Sequence, residues 1–114
     1  MKNYVFVVAA AAGLLLAAPA QAGDAAAGEK VFKKCKACHH VDRQKKKSGP
    51  HLGNIVGRAA GAVEGFKYSK AMAGSGLVWD EATLTGFLAK PRKYLKGTKM
   101  SFAGLKQESD IVNV

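Results

Sequence analysis

The only two cysteines of the chain, Cys35 and Cys38, stand three residues apart in the stretch "KKCKACHH" at 33–40, with His39 and His40 directly behind them. This stretch constrains the fold more than any other. It commits a short chain to a redox dithiol, half of a zinc site, or the anchor of something larger. Structural zinc takes four ligands, usually two cysteine pairs or a cysteine pair with a spaced histidine pair. Here there is one pair, and the histidines beyond His39 are His40 and His51. A thioredoxin-like dithiol follows a strand in an α/β pattern, which this sequence lacks. A disulfide across two intervening residues would close too short a loop to stabilise much.

The third reading has a physical basis in the spacing. C-x-x-C-H is the signature of covalent haem c attachment. Cysteines three apart project from one side of a helical turn, so both sulfurs can reach the two vinyl groups on one porphyrin edge. His39 then falls beneath the iron as the proximal ligand. His40 is expected to be an exposed bystander. His51 would be the distal ligand of a bis-histidine site, but a better distal candidate lies downstream.

The rest of the chain suits a small exported domain. Lys2, an apolar run from Tyr4 to Ala18 and the small-x-small triplet Ala20-Gln21-Ala22 read as a secretory signal peptide over 1–22, cleaved after Ala22 into the periplasm. The apolar run is short of the roughly 20 residues that a spanning helix needs. A single domain over 23–114 remains, small enough that a bound cofactor would add materially to its core. Its 17 basic and 8 acidic side chains cluster the positive charge at 30–36, 43–47 and 90–99. That balance suits an acidic partner. No recognition motif accompanies the lysines, so nucleic acid is not expected.

The element pattern is all-α. Asp24 caps a helix through "AAAGEKVFKKC", in which Gly28 costs about 1 kcal/mol of helix stability and so marks a close approach to the backbone. Loops are expected from Asp42 to Gly65. A short helix covers Ser69 to Ala73. Asp80 caps a further helix with Leu84, Phe87 and Leu88 as its apolar stripe, and Pro91 ends it. Arg92 to Leu105 reads as loop, and "QESDIVNV" starts a last helix. Loops this long in so small a domain are expected to wrap something.

Four segments in order, "CKACH", "SGPHLGNIVGR", "GFKYSKAM…GLVW" and "PRKYLKGTKMSFAGL", resemble the class I c-type cytochromes, specifically the soluble bacterial cytochrome c2 or c550 type related to mitochondrial cytochrome c. The resemblance covers the chain from about Gly28 onward. It implies four to five short helices and long loops wrapped around one haem c, bound through Cys35 and Cys38. It implies that Met100 is the distal ligand, with His39 and Met100 the two metal ligands, whereas Met72 is a core methionine. It further implies that Pro50 accepts from the other nitrogen of His39, and that Arg58, Tyr68 and Trp79 hydrogen-bond or neutralise the propionates. Leu52, Leu84 and Leu88 would line the apolar pocket, Thr98 and Phe102 would flank the methionine, and Phe102 would cover the haem face. Lys34, Lys47, Arg92, Lys93 and Lys99 match the family's docking ring for acidic partner surfaces.

The function so implied is that of a monomeric, non-enzymatic periplasmic carrier in a respiratory chain. It would shuttle single electrons from a quinol:cytochrome c oxidoreductase of the bc1 type to an oxidase, reaction centre or dehydrogenase, and bind no small-molecule substrate. The alternative is a haem peroxidase or small-ligand-binding cytochrome, should Met100 not ligate the iron. Two departures from the pattern stand out. Phe87 occupies the position where many relatives have a tyrosine that donates to the methionine sulfur. The last helix is about two turns shorter than the family's, so that either the chain is a fragment or the protein docks a stunted helix.

Overall fold

The computed structural model describes residue 13 and residues 23–114. The signal-peptide expectation therefore lies outside the described residues. Five helices and no strands make up the described part, as the all-α reading requires.

Helix α1 spans Ala25–Phe32. The Asp24 carboxylate caps it by accepting from Ala26 N at 2.9 Å and Ala27 N at 3.2 Å, two of the amides that an uncapped helix leaves without partners. Helical turns continue past its end. Cys35 N donates to Phe32 O at 2.8 Å, and both Cys38 N and His39 N donate to Cys35 O, at 3.1 and 2.9 Å. The C-x-x-C-H segment is thus an extension of α1 rather than a free loop.

Helix α2, Lys70–Ala73, is capped by the buried Ser69, whose hydroxyl accepts from Met72 N at 3.0 Å. Helix α3, Glu81–Ala89, opens with a capping box: Thr83 N donates to Asp80 Oδ1 at 2.8 Å while Asp80 N donates to Thr83 Oγ1 at 2.9 Å. Helix α5, Glu108–Asn113, closes the described chain.

Helix α4, Pro91–Tyr94, corrects the expectation of a continuous loop from Arg92 to Leu105. Pro91 does end α3 at Ala89, but its fixed φ also suits the first position of a new helix, where no amide is required. The same residue therefore stops one helix and starts the next.

Packing follows from these elements. α1 packs against α5, and α3 against both α4 and α5. Gly28 is buried in the α1–α5 crossing, where a Cβ would overlap the Asn113 carbonyl. The close approach inferred from a glycine inside a helix is the crossing of α5. Among the described residues Trp79, Phe87 and Leu105 form the buried hydrophobic core beside the fully buried Pro91, and Trp79 and Phe87 lie with ring centroids 5.0 Å apart. Leu105 N donates to Leu88 O at 2.8 Å, fastening the segment beyond Met100 onto α3. One isolated antiparallel bridge, Ala59 with Val78, ties the middle loop down, flanked by Gly57 N to Trp79 O at 2.6 Å and Trp79 N to Arg58 O at 2.9 Å. Arg58 and Trp79 are thereby held side by side through their backbones.

Candidate functional site

The site is built from two segments laid along each other. Residues 35–40 form the end of the α1 extension, and residues 47–52 return beside it. Gly49 N donates to Cys38 O at 2.8 Å, Leu52 N donates to His40 O at 2.7 Å, and His39 Nδ1 meets Pro50 O at 2.7 Å. A carbonyl can only accept, so Nδ1 carries the proton. Nε2 is left with its lone pair bare, which is the tautomer a metal ligand requires. Gly49 is buried edge-on against the imidazole, and a Cβ there would lie 2.7 Å from His39 Nδ1. The ring is therefore fixed in its plane by a hydrogen bond and by a backbone that no side chain separates from it.

Neither cysteine is in a disulfide. Cys35 is half-buried and Cys38 exposed. Burial pushes the Cys35 thiol up, the neighbouring Cys38 adds to the shift, and Lys34 opposes both. A thiol held protonated is a poor redox nucleophile.

His40 corrects an expectation. It is not an exposed bystander: its side chain is only 20 % exposed, because the Leu52 amide draws its backbone into the clasp. Partial burial and the cations Lys47 and Arg43 hold its imidazolium below the usual histidine range, with Asp42 opposing at 3.9 Å. His51 accepts from Gly53 N at 3.2 Å through Nδ1.

Arg58 reaches back into the same loop. Its Nη1 donates to Gly53 O and its Nη2 to His51 O, both at 3.0 Å. Its Nε is buried without a partner. An orphaned guanidinium N–H is costly in an interior and marks a position for an anionic acceptor. The Tyr68 hydroxyl accepts from Val63 N at 3.1 Å, so its own proton remains available to donate. Trp79 is buried 5.0 Å from the Phe87 ring.

On the distal side, Met100 N donates to Thr98 Oγ1 at 3.4 Å, which turns the backbone at the candidate ligand. Leu52, Leu84, Leu88, Met100 and Phe102 are half-buried. Apolar side chains from the loop after Pro50, from α3 and from the segment around Met100 thus retain surface that a flat apolar ring can cover. With the bare His39 Nε2, a soft methionine sulfur, two thiols at tether spacing and an unpaired Arg58 N–H, the residues present fit a haem. Among the described residues no cluster of three or more His, Cys, Asp or Glu stands ready for another metal.

The basic residues matched to a docking ring, Lys34, Lys47, Arg92, Lys93 and Lys99, are all exposed. The Lys47 ammonium, however, donates to Lys36 O at 2.7 Å. That contact and the packing of Gly49 on His39 are features that sequence reasoning did not reach. The signal for the second was a glycine beside the proline whose carbonyl fixes the His39 ring.

The family model for cytochrome c matches residues 25–110. Cytochrome c2 of Rhodomicrobium vannielii is 46 % identical over 115 residues, covering 100 % of this chain and 92 % of the relative. Cytochrome c2 of Rhodoblastus acidophilus is 49 % identical over 94 residues, covering 82 % of this chain and 88 % of the relative. Among solved structures, cytochrome cH from Methylobacterium extorquens superposes with a TM-score of 0.76 at 46 % identity, over 80 % of this chain and 92 % of that one.

Proposed function

Since this chain belongs to the cytochrome c family, carries haem c on Cys35 and Cys38 and is a mono-haem electron carrier, we propose that it works in the periplasm between membrane redox complexes. In this reading, residues 1–22 are a leader removed after Ala22, and residues 23–114 are the working domain. Its donor is a quinol:cytochrome c oxidoreductase, and its acceptor an oxidase, reaction centre or dehydrogenase.

When bound, the haem supplies a one-electron ferric–ferrous couple. The residues of the chain set how that couple is used. His39 would hold the iron through Nε2, with Pro50 O keeping the ring turned and basic. Met100 would hold it through a soft thioether sulfur, which would favour the ferrous state and so raise the reduction potential. With His39 and Met100 both engaged on the iron, the site would be left to electron transfer rather than to binding a small substrate. Arg58, Tyr68 and Trp79 offer N–H and O–H donors to the propionates, while Leu52, Leu84, Leu88 and Phe102 exclude water from the ring. The exposed cations Lys34, Arg92, Lys93 and Lys99 speed encounter with an acidic surface in a salt-dependent way.

The observation that carries this reading is the His39 Nδ1–Pro50 O hydrogen bond, which leaves Nε2 as the free ligand nitrogen. The test is to add the purified holoprotein and a quinol to membranes containing a quinol:cytochrome c oxidoreductase. Enzyme-dependent reduction that slows as salt rises supports the carrier role. Rapid binding of carbon monoxide by the ferrous protein or of peroxide by the ferric protein would replace it with the ligand-binding alternative.

A further inference from the structure

Residues 43–47, "RQKKK", read in sequence as a block of surface charge. In the structure two of these lysines are turned to backbone carbonyls in different parts of the chain. Lys46 Nζ donates to Gly65 O at 3.1 Å, and Lys47 Nζ donates to Lys36 O at 2.7 Å.

The Lys36 carbonyl lies between the two cysteines, in the last helical turn before His39. The backbone bonds of that turn converge on Cys35 O, which accepts from Cys38 N and His39 N. At the end of a helix the last carbonyls lack intrahelical donors and are satisfied by other groups, cationic side chains among them. The Lys47 ammonium fills this role for Lys36 O. Lys47 also begins the returning segment, since its N donates to Gly49 O at 3.0 Å and Gly49 N donates to Cys38 O at 2.8 Å. The contacts 47 to 36, 49 to 38 and 50 to 39 therefore run along the two segments in register, and 52 to 40 follows with a slip of one residue.

We propose that Lys47 is a positioning residue for the proximal ligand rather than a free docking charge: its ammonium locks the turn that carries Cys35, Cys38 and His39 onto the segment carrying Gly49 and Pro50. A hydrogen bond from a charged donor is stronger than one between neutral groups. The side chain thus closes the end of the clasp that lies farthest from Leu52, while Lys46 fixes the same run to the 62–65 loop. This inference rests on the haem-attachment reading of residues 35–39 and deepens it.

The test compares holoproteins carrying Lys47→Met, Lys47→Arg and Lys45→Met. The readouts are exchange of the Gly49 and Leu52 amides and of the His39 Nδ1 proton, followed by NMR. Lys47→Met is expected to speed all three by about five- to tenfold, the scale of one solvent-accessible hydrogen bond to a charged group. Lys47→Arg, which keeps a donor able to reach Lys36 O, is expected to restore them. Lys45→Met removes the same charge from the same run and is expected to leave them unchanged. Equal effects from Lys45→Met and Lys47→Met, or no effect from Lys47→Met, would overturn the proposal and return Lys47 to the surface ring. Failure of the wild-type protein to retain haem on denaturation would instead overturn the attachment reading beneath it.

Discussion

His39 Nδ1 lies 2.7 Å from Pro50 O, and Gly49, the residue before that proline, packs directly against the same imidazole. One dipeptide therefore determines both the tautomer of His39 and the plane of its ring. Adding a methyl at Gly49 places a Cβ 2.7 Å from Nδ1, closer than carbon and nitrogen can approach. Gly49→Ala is expected to destabilise the holoprotein by about 1–3 kcal/mol, the usual cost of overpacking, and to disturb the proximal ligand field as well. Denaturant unfolding measures the first effect and the visible spectrum of the ferric protein the second.

A second close approach holds the α1–α5 crossing. At Gly28 the group in the way is the Asn113 main-chain carbonyl, which cannot rotate aside as a side chain would. Asn113 also accepts from Asp24 N through Oδ1 at 2.9 Å, so the end of α5 is bonded to the cap of α1. Gly28→Ala raises helix propensity by about 1 kcal/mol yet is expected to lower net stability, because the crossing must open. Asn113→Ala is expected to cost about 1 kcal/mol through the lost hydrogen bond. Urea midpoints of the two variants rank these effects.

Gly86 presents a different case, where the obstacle is a side chain rather than backbone. A Cβ at this position of α3 would press into the Tyr94 ring, 2.9 Å from Cδ2, and Tyr94 is 41 % exposed, with its ring 6.4 Å from that of Phe87. Gly86→Ala alone is expected to gain little or to destabilise. In a Tyr94→Ala background the same change is expected to stabilise by about 1 kcal/mol, the helix-propensity difference. A double-mutant cycle reads the coupling between the two sites.

Which features were legible in the sequence follows from how local their causes are. Asp24 and Asp80 announced their helices because a cap depends on a few consecutive residues. Gly28 announced a close approach because glycine inside a helix has a cost that needs a reason. Helix α4 was not legible because a proline that ends one helix looks the same in sequence as a proline that also starts the next. The partial burial of His40 and the bond from the Lys47 ammonium to Lys36 O have a different origin. Both depend on the 47–52 segment folding back along 35–40, a pairing between loops that carries no periodicity. Charge in sequence gives the sign of a surface but not the carbonyl a particular ammonium reaches.

The Asp80 cap supplies a pH dependence. Hydrogen bonds from the Thr83 amide and hydroxyl hold its carboxyl below the ordinary aspartate range. A group whose folded pKa is depressed contributes stability at pH above its unfolded value and loses it as pH falls through the folded one. Asp80→Asn keeps an acceptor for the cap but cannot titrate. It is expected to flatten the acid limb of the stability curve, below the ordinary carboxylate range, and to leave the neutral region close to wild type. Thermal midpoints across that range check it.

Coordination of the iron by His39 and Met100 together is the claim on which the carrier reading stands. The sulfur-to-iron charge-transfer band of the oxidised holoprotein, recorded for wild type, Met100→Ala and Met72→Ala, tests it most directly. The band is expected in the wild type and in Met72→Ala, and absent in Met100→Ala. A wild-type protein without the band, or a band that survives Met100→Ala, would contradict the account.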